Sequence, residues 1–248
     1  MSGQGSRALR LAGGRDAACP LGVCDGSGWI LGPEDVARPC ECRGPRLAKR
    51  RVRGVAAAIP KRYRGVSFDR PPISDMERDK GRAPVVKAVR AFTDAIDERL
   101  DAGRGLWLMG DVGTGKTSLA MLVAKTAAEA GRSVAIYSLP RLLARIRRTY
   151  DADPGEDSYL RFIERLTSVD LLQIDDLGAE KSSDWVLEQL YAIVDDRYES
   201  ERSMLVTTNL DQASLEEQIG PRTVSRLVEI CGDPLPLFGD DQRYRIAE

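Results

Sequence analysis

The residues best placed to do chemistry lie in GLWLMGDVGTGKTSLA, residues 105–120. Here Gly110-Asp111-Val112-Gly113-Thr114-Gly115-Lys116-Thr117 fits G-x-x-x-x-G-K-[ST] at every fixed position. A loop that wraps a polyphosphate turns its backbone N–H groups inward, and glycines supply the φ values and the room for that turn. Lys116 is then expected at the β/γ-phosphates and Thr117 on Mg²⁺. Ser118 stands in the first turn of a following helix, whose N-terminal dipole acts on the same anion. ATP and Mg²⁺ are the ligands that this pattern calls for.

A second constellation ends the apolar run Val169-Asp-Leu-Leu-Gln-Ile174 with Asp175 and Asp176. A strand closing on two acids, downstream of a phosphate loop, is the arrangement that holds Mg²⁺ and orients water in P-loop ATPases, here Asp175 for the ion and Asp176 for the water. The run Met204-Leu-Val-Thr-Thr-Asn209 ends in a polar Asn where strand ends converge on a ligand. The third constellation is Cys19, Cys24, Cys40 and Cys42, four thiols within 24 residues on turn-forming sequence. In a reducing compartment clustered thiols more often bind metal than pair with one another, and four thiolates suit tetrahedral Zn²⁺, with an iron–sulfur cluster as the alternative. Cys231, in an apolar run, reads as a buried core thiol.

These groups must be positioned by elements, and the periodicities supply them. Leu106 to Met109 form a short apolar strand before the loop, and Leu119, Leu122, Val123 and Ala127 make a helical face behind it, until Gly131 ends the helix. A single helix over residues 85–100 precedes the strand, and residues 66–69 read as a short strand on which an adenine could rest. Further strands are expected at 133–139, 169–174, 204–209 and 235–238, with helices at 141–150, 159–166, 184–201 and 216–231. Strands alternating with helices predict an α/β domain with a five-stranded parallel sheet covered on both faces. A small Cys-rich metal-binding module precedes it. Residues 1–18 read as a disordered tail, 19–43 as the Cys-rich module, 44–65 as a basic linker and 66–248 as the ATPase domain.

Charge divides along the chain as the domains do. Residues 1–65 carry 13 Lys/Arg against 5 Asp/Glu, and residues 66–248 carry 24 against 33. Residues 43–64 alone hold nine basic residues and no acid, a composition suited equally to solvation and to contact with nucleic acid or an acidic partner. In the helix at 141–150, Arg141, Arg145 and Arg148 fall on one face and are candidate DNA contacts, with Tyr150 as a stacking platform. The chain has no histidine, so the commonest general base is excluded and any metal must use Cys and carboxylates. It has no run of 18 apolar residues and no apolar stretch at its N-terminus; a cytoplasmic protein without membrane contact is expected.

Taken together, LLQIDDLGAE, DDRYESERSMLVTTNL and RTVSRLVEIC resemble the AAA+ helicase loaders of the DnaC/DnaI type and the related IstB transposition helpers. The resemblance spans roughly residues 19–245. It implies that Lys116 and Thr117 are Walker A, Asp175 and Asp176 Walker B, and Asn209 sensor 1. Arg226 resembles the arginine finger that acts on a neighbouring subunit, with Arg222 as its rival; a surface arginine paired with Glu229 is the plain alternative. Arg243 resembles sensor 2, and Arg245 fits almost as well. Asp176 stands where many relatives have Glu, which implies slow turnover. The implied activity is ATP hydrolysis to ADP and phosphate by a loader that binds a hexameric replicative DNA helicase and single-stranded DNA, self-associates with ATP, and uses hydrolysis to time release. An IstB-like helper that binds DNA and regulates a transposase is the alternative. A small-molecule kinase is less consistent with Asn209 and the SRL arginine, and a zinc-dependent DNA adaptor with a vestigial ATP site would be excluded by measurable turnover that Lys116→Ala abolishes.

Overall fold

The computed structural model describes residues 19–32, 36–46, 59–150, 159–180, 183–239 and 241. The tail at 1–18, linker residues 47–58, the acidic loop at 151–157, Arg243 and Arg245 lie outside these. The chain divides into two units, Met1–Arg50 and Arg51–Glu248. In the first, β1 (Trp29–Leu31) and β2 (Ala37–Pro39) form an antiparallel pair beside the cysteines, and a helical turn at 43–46 follows Cys42. Too small to bury a core of carbon, this unit buries thiols instead: Cys19, Cys40 and Cys42 cluster with Cys24 and Ile30 against them.

The second unit begins with a 3₁₀ turn at Lys61–Tyr63 and continues through α1 (Ile73–Arg78), α2 (Ala83–Asp94) and α3 (Ile96–Asp101) to β3 (Leu106–Gly110). Then follow α4 (Lys116–Glu129), β4 (Val134–Ser138), α5 (Leu139–Tyr150), α6 (Tyr159–Ser168), β5 (Leu171–Asp175) and α7 (Asp184–Glu199). The unit closes with β6 (Ser203–Thr208), α8 (Gln212–Ile219), α9 (Pro221–Cys231) and β7 (Leu235–Leu237). The five strands β3–β7 form one sheet in the order β4-β5-β6-β3-β7, parallel throughout. The expected five-stranded parallel sheet with helical cover is therefore what the chain forms.

Alternate residues of β3 to β6 feed two cores. Leu106 and Leu108 of β3, with Leu171 and Leu205, pack under α2 and α4. Trp107, Leu172, Ile174, Met204 and Val206 point the other way, against α5 to α9. One buried charge ties the second layer: the guanidinium of Arg197, with no exposed surface, donates to the carbonyls of Leu166 (2.7 Å), Val169 (3.1 Å) and Ser203 (2.5 Å). It thereby satisfies the end of α6 and the approaches to β5 and β6 at once.

Three expectations need correction. The helix at 85–100 is two helices, because Ala95 leaves helical geometry at φ −110°, ψ 31°. Residues 66–69 form no strand; they run as loop, with the Val66 N–H donating to the Tyr63 carbonyl at 3.1 Å and Lys125 Nζ donating to the Val66 carbonyl at 3.2 Å. The Phe68 ring is covered by the Arg90 guanidinium, 4.0 Å from its centroid, so that face is taken. Finally, the end of the basic stretch is not all linker, since Ile59 is buried in the main core.

Candidate functional site

The carboxyl ends of β3, β5 and β6 meet at one edge of the sheet, and there the expected residues converge. The strand β3 hands the chain to Gly110, whose φ of 138° and tight approach to the Leu237 carbonyl leave no room for a Cβ. Gly113 and Gly115 also have positive φ, 78° and 103°, and α4 begins immediately after at Lys116. The loop is held from inside. Lys116 Nζ donates to the carbonyls of Gly110 (2.8 Å) and Asp111 (2.6 Å), and Thr114 Oγ1 to the same Asp111 carbonyl at 2.8 Å. Lys116 and Ser118 are buried, whereas Asp111 and Val112 at the tip are exposed.

The acids come to this loop from β5. Thr117 Oγ1 lies 3.1 Å from Asp175 Oδ1 and 3.3 Å from Oδ2. Asp175 is partly buried, which pushes its carboxyl above the usual carboxylate range against the pull of the Thr207 and Thr117 hydroxyls. A partly buried carboxylate beside a hydroxyl is a hard, oxygen-only donor set of the kind Mg²⁺ takes, so these residues fit that ion. Asp176 has φ 57°, left-handed for a residue that is not Gly. Asn209, exposed just past the end of β6, shares a cavity of about 190 Å³ with Gly110, Asp111, Asp211 and Phe238. A larger cavity, about 450 Å³, lies at the opposite end of β3 around Leu106, Phe92 and Ile230, and the phosphate loop has no part in it.

Other expected residues are placed differently. Arg226 Nε pairs with Asp195 of α7, and its guanidinium sits 4.3 Å over the Tyr198 ring. The expected alternative partner, Glu229, instead accepts from the Tyr198 hydroxyl at 2.7 Å. Arg222, one turn earlier on α9, is exposed and has no hydrogen bond or ion pair among the described residues. Arg141 and Arg148 lie exposed on α5, while Arg145 is half-buried with its guanidinium 5.9 Å from the Phe162 ring. Tyr150 stacks on Tyr159 at 5.3 Å between centroids and remains 55% exposed. The segment behind β7 reaches the phosphate loop, where the Gly239 N–H donates to Asp111 Oδ2 at 3.2 Å.

Sequence reasoning missed Thr207. Its hydroxyl donates to Asp175 Oδ1 at 2.7 Å and accepts from the Asp176 N–H at 3.0 Å. The signal was the polar pair Thr207-Thr208 ahead of Asn209 in an otherwise apolar strand.

In the first unit the sulfur atoms of Cys19, Cys24, Cys40 and Cys42 lie within 4.8 Å of one another, with Cys19–Cys40 at 3.9 Å and Cys24–Cys42 at 3.6 Å. Tetrahedral Zn²⁺ with Zn–S bonds of about 2.3 Å requires sulfurs about 3.8 Å apart, so the cluster fits. The backbone N–H of Cys24 and its neighbours pulls the Cys19 thiol down to about 6, whereas burial pushes the Cys42 thiol up to about 12. An ion would therefore find one ligand close to its thiolate form and would have to displace a proton from another.

The family model for the IstB-like ATP binding protein matches residues 96–228. The chain is 29% identical over 173 residues to the replicative helicase loader DnaC of Buchnera aphidicola subsp. Schizaphis graminum, covering 69% of this chain and 66% of that protein. It is 31% identical over 144 residues to an ATP-binding protein of the insertion sequence IS1162 from Pseudomonas fluorescens, covering 57% and 58%. The chain thus spans about two thirds or less of the length of these relatives. Among solved structures, the DnaC helicase loader superposes with a TM-score of 0.61 at 26% identity, over 73% of this chain and 100% of that one.

Proposed function

The chain belongs to the IstB-like ATP binding protein family, and on that premise we propose that it is an ATPase that loads a hexameric replicative helicase onto single-stranded DNA. The observation that carries the reading is the meeting of Lys116, Thr117 and Asp175 at the end of β3, within a domain that covers the whole of the solved DnaC structure.

In this reading the backbone N–H groups of residues 110–118 cradle the phosphates. Lys116 exchanges the carbonyls of Gly110 and Asp111 for β/γ-phosphate oxygens, gaining a charged acceptor for two neutral ones. Thr117 and Asp175 hold Mg²⁺, which would neutralise charge on the phosphate oxygens. Asp176 orients the attacking water; Asn209, across the cavity from Asp111, fixes the position of the γ-phosphate. Arg222 is presented for contact with a neighbouring subunit without breaking an existing pair, whereas Arg226 must first leave Asp195; the finger role goes to Arg222. Arg243 or Arg245, on the segment that starts at Gly239, supplies the sensor arginine.

The face of α5 carrying Arg141, Arg145 and Arg148 takes the DNA backbone, with Tyr150 beside it. The Cys-rich module, ordered by Zn²⁺, and the basic stretch after it engage the helicase in a cytoplasmic complex; no helix among the described residues is long and apolar enough to cross a membrane. ATP promotes self-association, and slow hydrolysis releases the complex. A second reading, a transposition helper acting with a transposase on DNA, draws on the relative from an insertion sequence. Measured ATP turnover, abolished by Lys116→Ala with nucleotide affinity reduced, tests the ATPase reading; turnover unchanged by that substitution contradicts it.

A further inference from the structure

Thr207 has no exposed surface and stands on β6, the strand that the sheet inserts between the phosphate-loop strand and the acid strand. Its single hydroxyl serves both acids. The proton goes to Asp175 Oδ1 at 2.7 Å, and the oxygen accepts the Asp176 N–H at 3.0 Å. Two bonds beside it fasten the same loop to the same strand end: the Leu177 N–H donates to the Thr207 carbonyl at 2.8 Å, and Thr208 Oγ1 donates to the Leu177 carbonyl at 2.7 Å. Residues 175–177 are thus pinned to residues 207–208, immediately before Asn209.

The chemistry makes this more than the satisfaction of a buried polar group. Asp175 has one oxygen shared between two hydroxyls, from Thr117 and Thr207, so its plane is fixed by partners on two different elements. Asp176 holds a left-handed backbone at φ 57°, a conformation that persists only where the surroundings impose it. The Thr207 oxygen on its N–H is one of the contacts that do so.

We propose that Thr207 is a positioning residue for ATP hydrolysis: one hydroxyl turns the Asp175 carboxylate toward Thr117 and holds the Asp176 backbone in the conformation that aims its side chain. Because the same strand end carries Asn209, a movement of Asn209 toward or away from the γ-phosphate is passed to both acids through Thr207. The inference rests on the ATPase reading.

The test uses the full chain and three substitutions. Thr207→Val keeps the shape and loses both bonds, Thr207→Ser keeps the hydroxyl, and Thr207→Cys offers only a weak donor and acceptor. Affinity for a fluorescent ADP analogue is measured with Mg²⁺ and with EDTA, alongside kcat and KM for ATP. Loss of an outer partner of a metal ligand is worth about 10–100-fold. Thr207→Val should therefore lose about tenfold of the affinity that Mg²⁺ adds, keep its EDTA affinity within about twofold, and lose kcat rather than KM. Thr207→Ser should recover most of each loss. If the valine variant does not fold, Thr207→Cys is read in its place. Unchanged Mg²⁺ dependence and kcat in the valine or cysteine variant overturn the inference, as do equal losses with and without Mg²⁺, which mark a purely structural role. A wild-type protein that binds no nucleotide overturns the ATPase reading itself.

Discussion

Asp195 of α7 holds Arg226 of α9 within one subunit, with Tyr198 beneath the guanidinium. That pair ties the helix carrying both candidate arginines to the long helix preceding β6, and it leaves Arg222 as the cation directed outward. An arginine supplied across a subunit boundary is worth about 10³ to 10⁵ in rate in the enzymes that use one. Arg222→Ala and Lys116→Ala should each be nearly inactive alone. When mixed, the Arg222→Ala subunit keeps its own phosphate loop and can borrow Arg222 from its neighbour, so part of the activity should return. Rescue by mixing with Arg226→Ala instead of Arg222→Ala would hand the role to Arg226. Failure of both, in variants shown to co-assemble, would end the trans account.

The four clustered thiols are expected to bind one Zn²⁺ per chain, because the module buries little besides sulfur and needs the ion's binding energy to order it. Elemental analysis of protein purified without chelator should give about one zinc per chain, falling sharply in Cys40→Ser. Much less than one metal in the wild type would contradict this, and iron in place of zinc would identify a cluster.

Arg141, Arg145 and Arg148 should contribute to single-stranded DNA affinity through counterion release. Removing all three phosphate-neutralising charges predicts a salt slope shallower by about 2 in log K against log salt for the triple Ala variant. Fluorescence anisotropy with a labelled oligonucleotide at several salt concentrations reads this directly. Affinity and slope both unchanged would make the face a solvated one.

Removing Arg197 should unfold the second layer first. Arg197→Met strips donors from the carbonyls of Leu166, Val169 and Ser203, all of which stay buried or half-buried, at a cost of at least about 3 kcal/mol. Urea denaturation should show a midpoint lowered accordingly, with little change in slope. A loss under about 1 kcal/mol would mean that water reaches those carbonyls.

How much of this was legible in the sequence follows from what each signal encodes. The phosphate loop and the two acids are local patterns bounded by apolar runs, and Gly110, Lys116 and Asp175 lie where such patterns place them. The thiol cluster was legible from its density alone, and its geometry fits the ion expected there. The polarity of Thr207 was legible but its role was not, because that role depends on strand order: β6 lies between β3 and β5 in the sheet although it follows both in the chain. Arg197 and Asp195 were hidden for a related reason. On an amphipathic helix a charged residue reads as solvated, and only the packing of α6 and α9 against α7 buries the one and pairs the other. The break at Ala95 had no Gly or Pro to announce it, and the loop at 66–69 shows that alternation over four residues is too short to specify a strand.

The most direct test of the central claim is association, by mass-resolved light scattering, of the purified chain with the hexameric replicative helicase of its own host, run beside the host's related transposases with and without ATP. The account predicts a defined complex with the helicase in ATP, release of the helicase as ATP is hydrolysed, and retention by a variant with Asp176→Asn. Binding to a transposase with none to the helicase would contradict it.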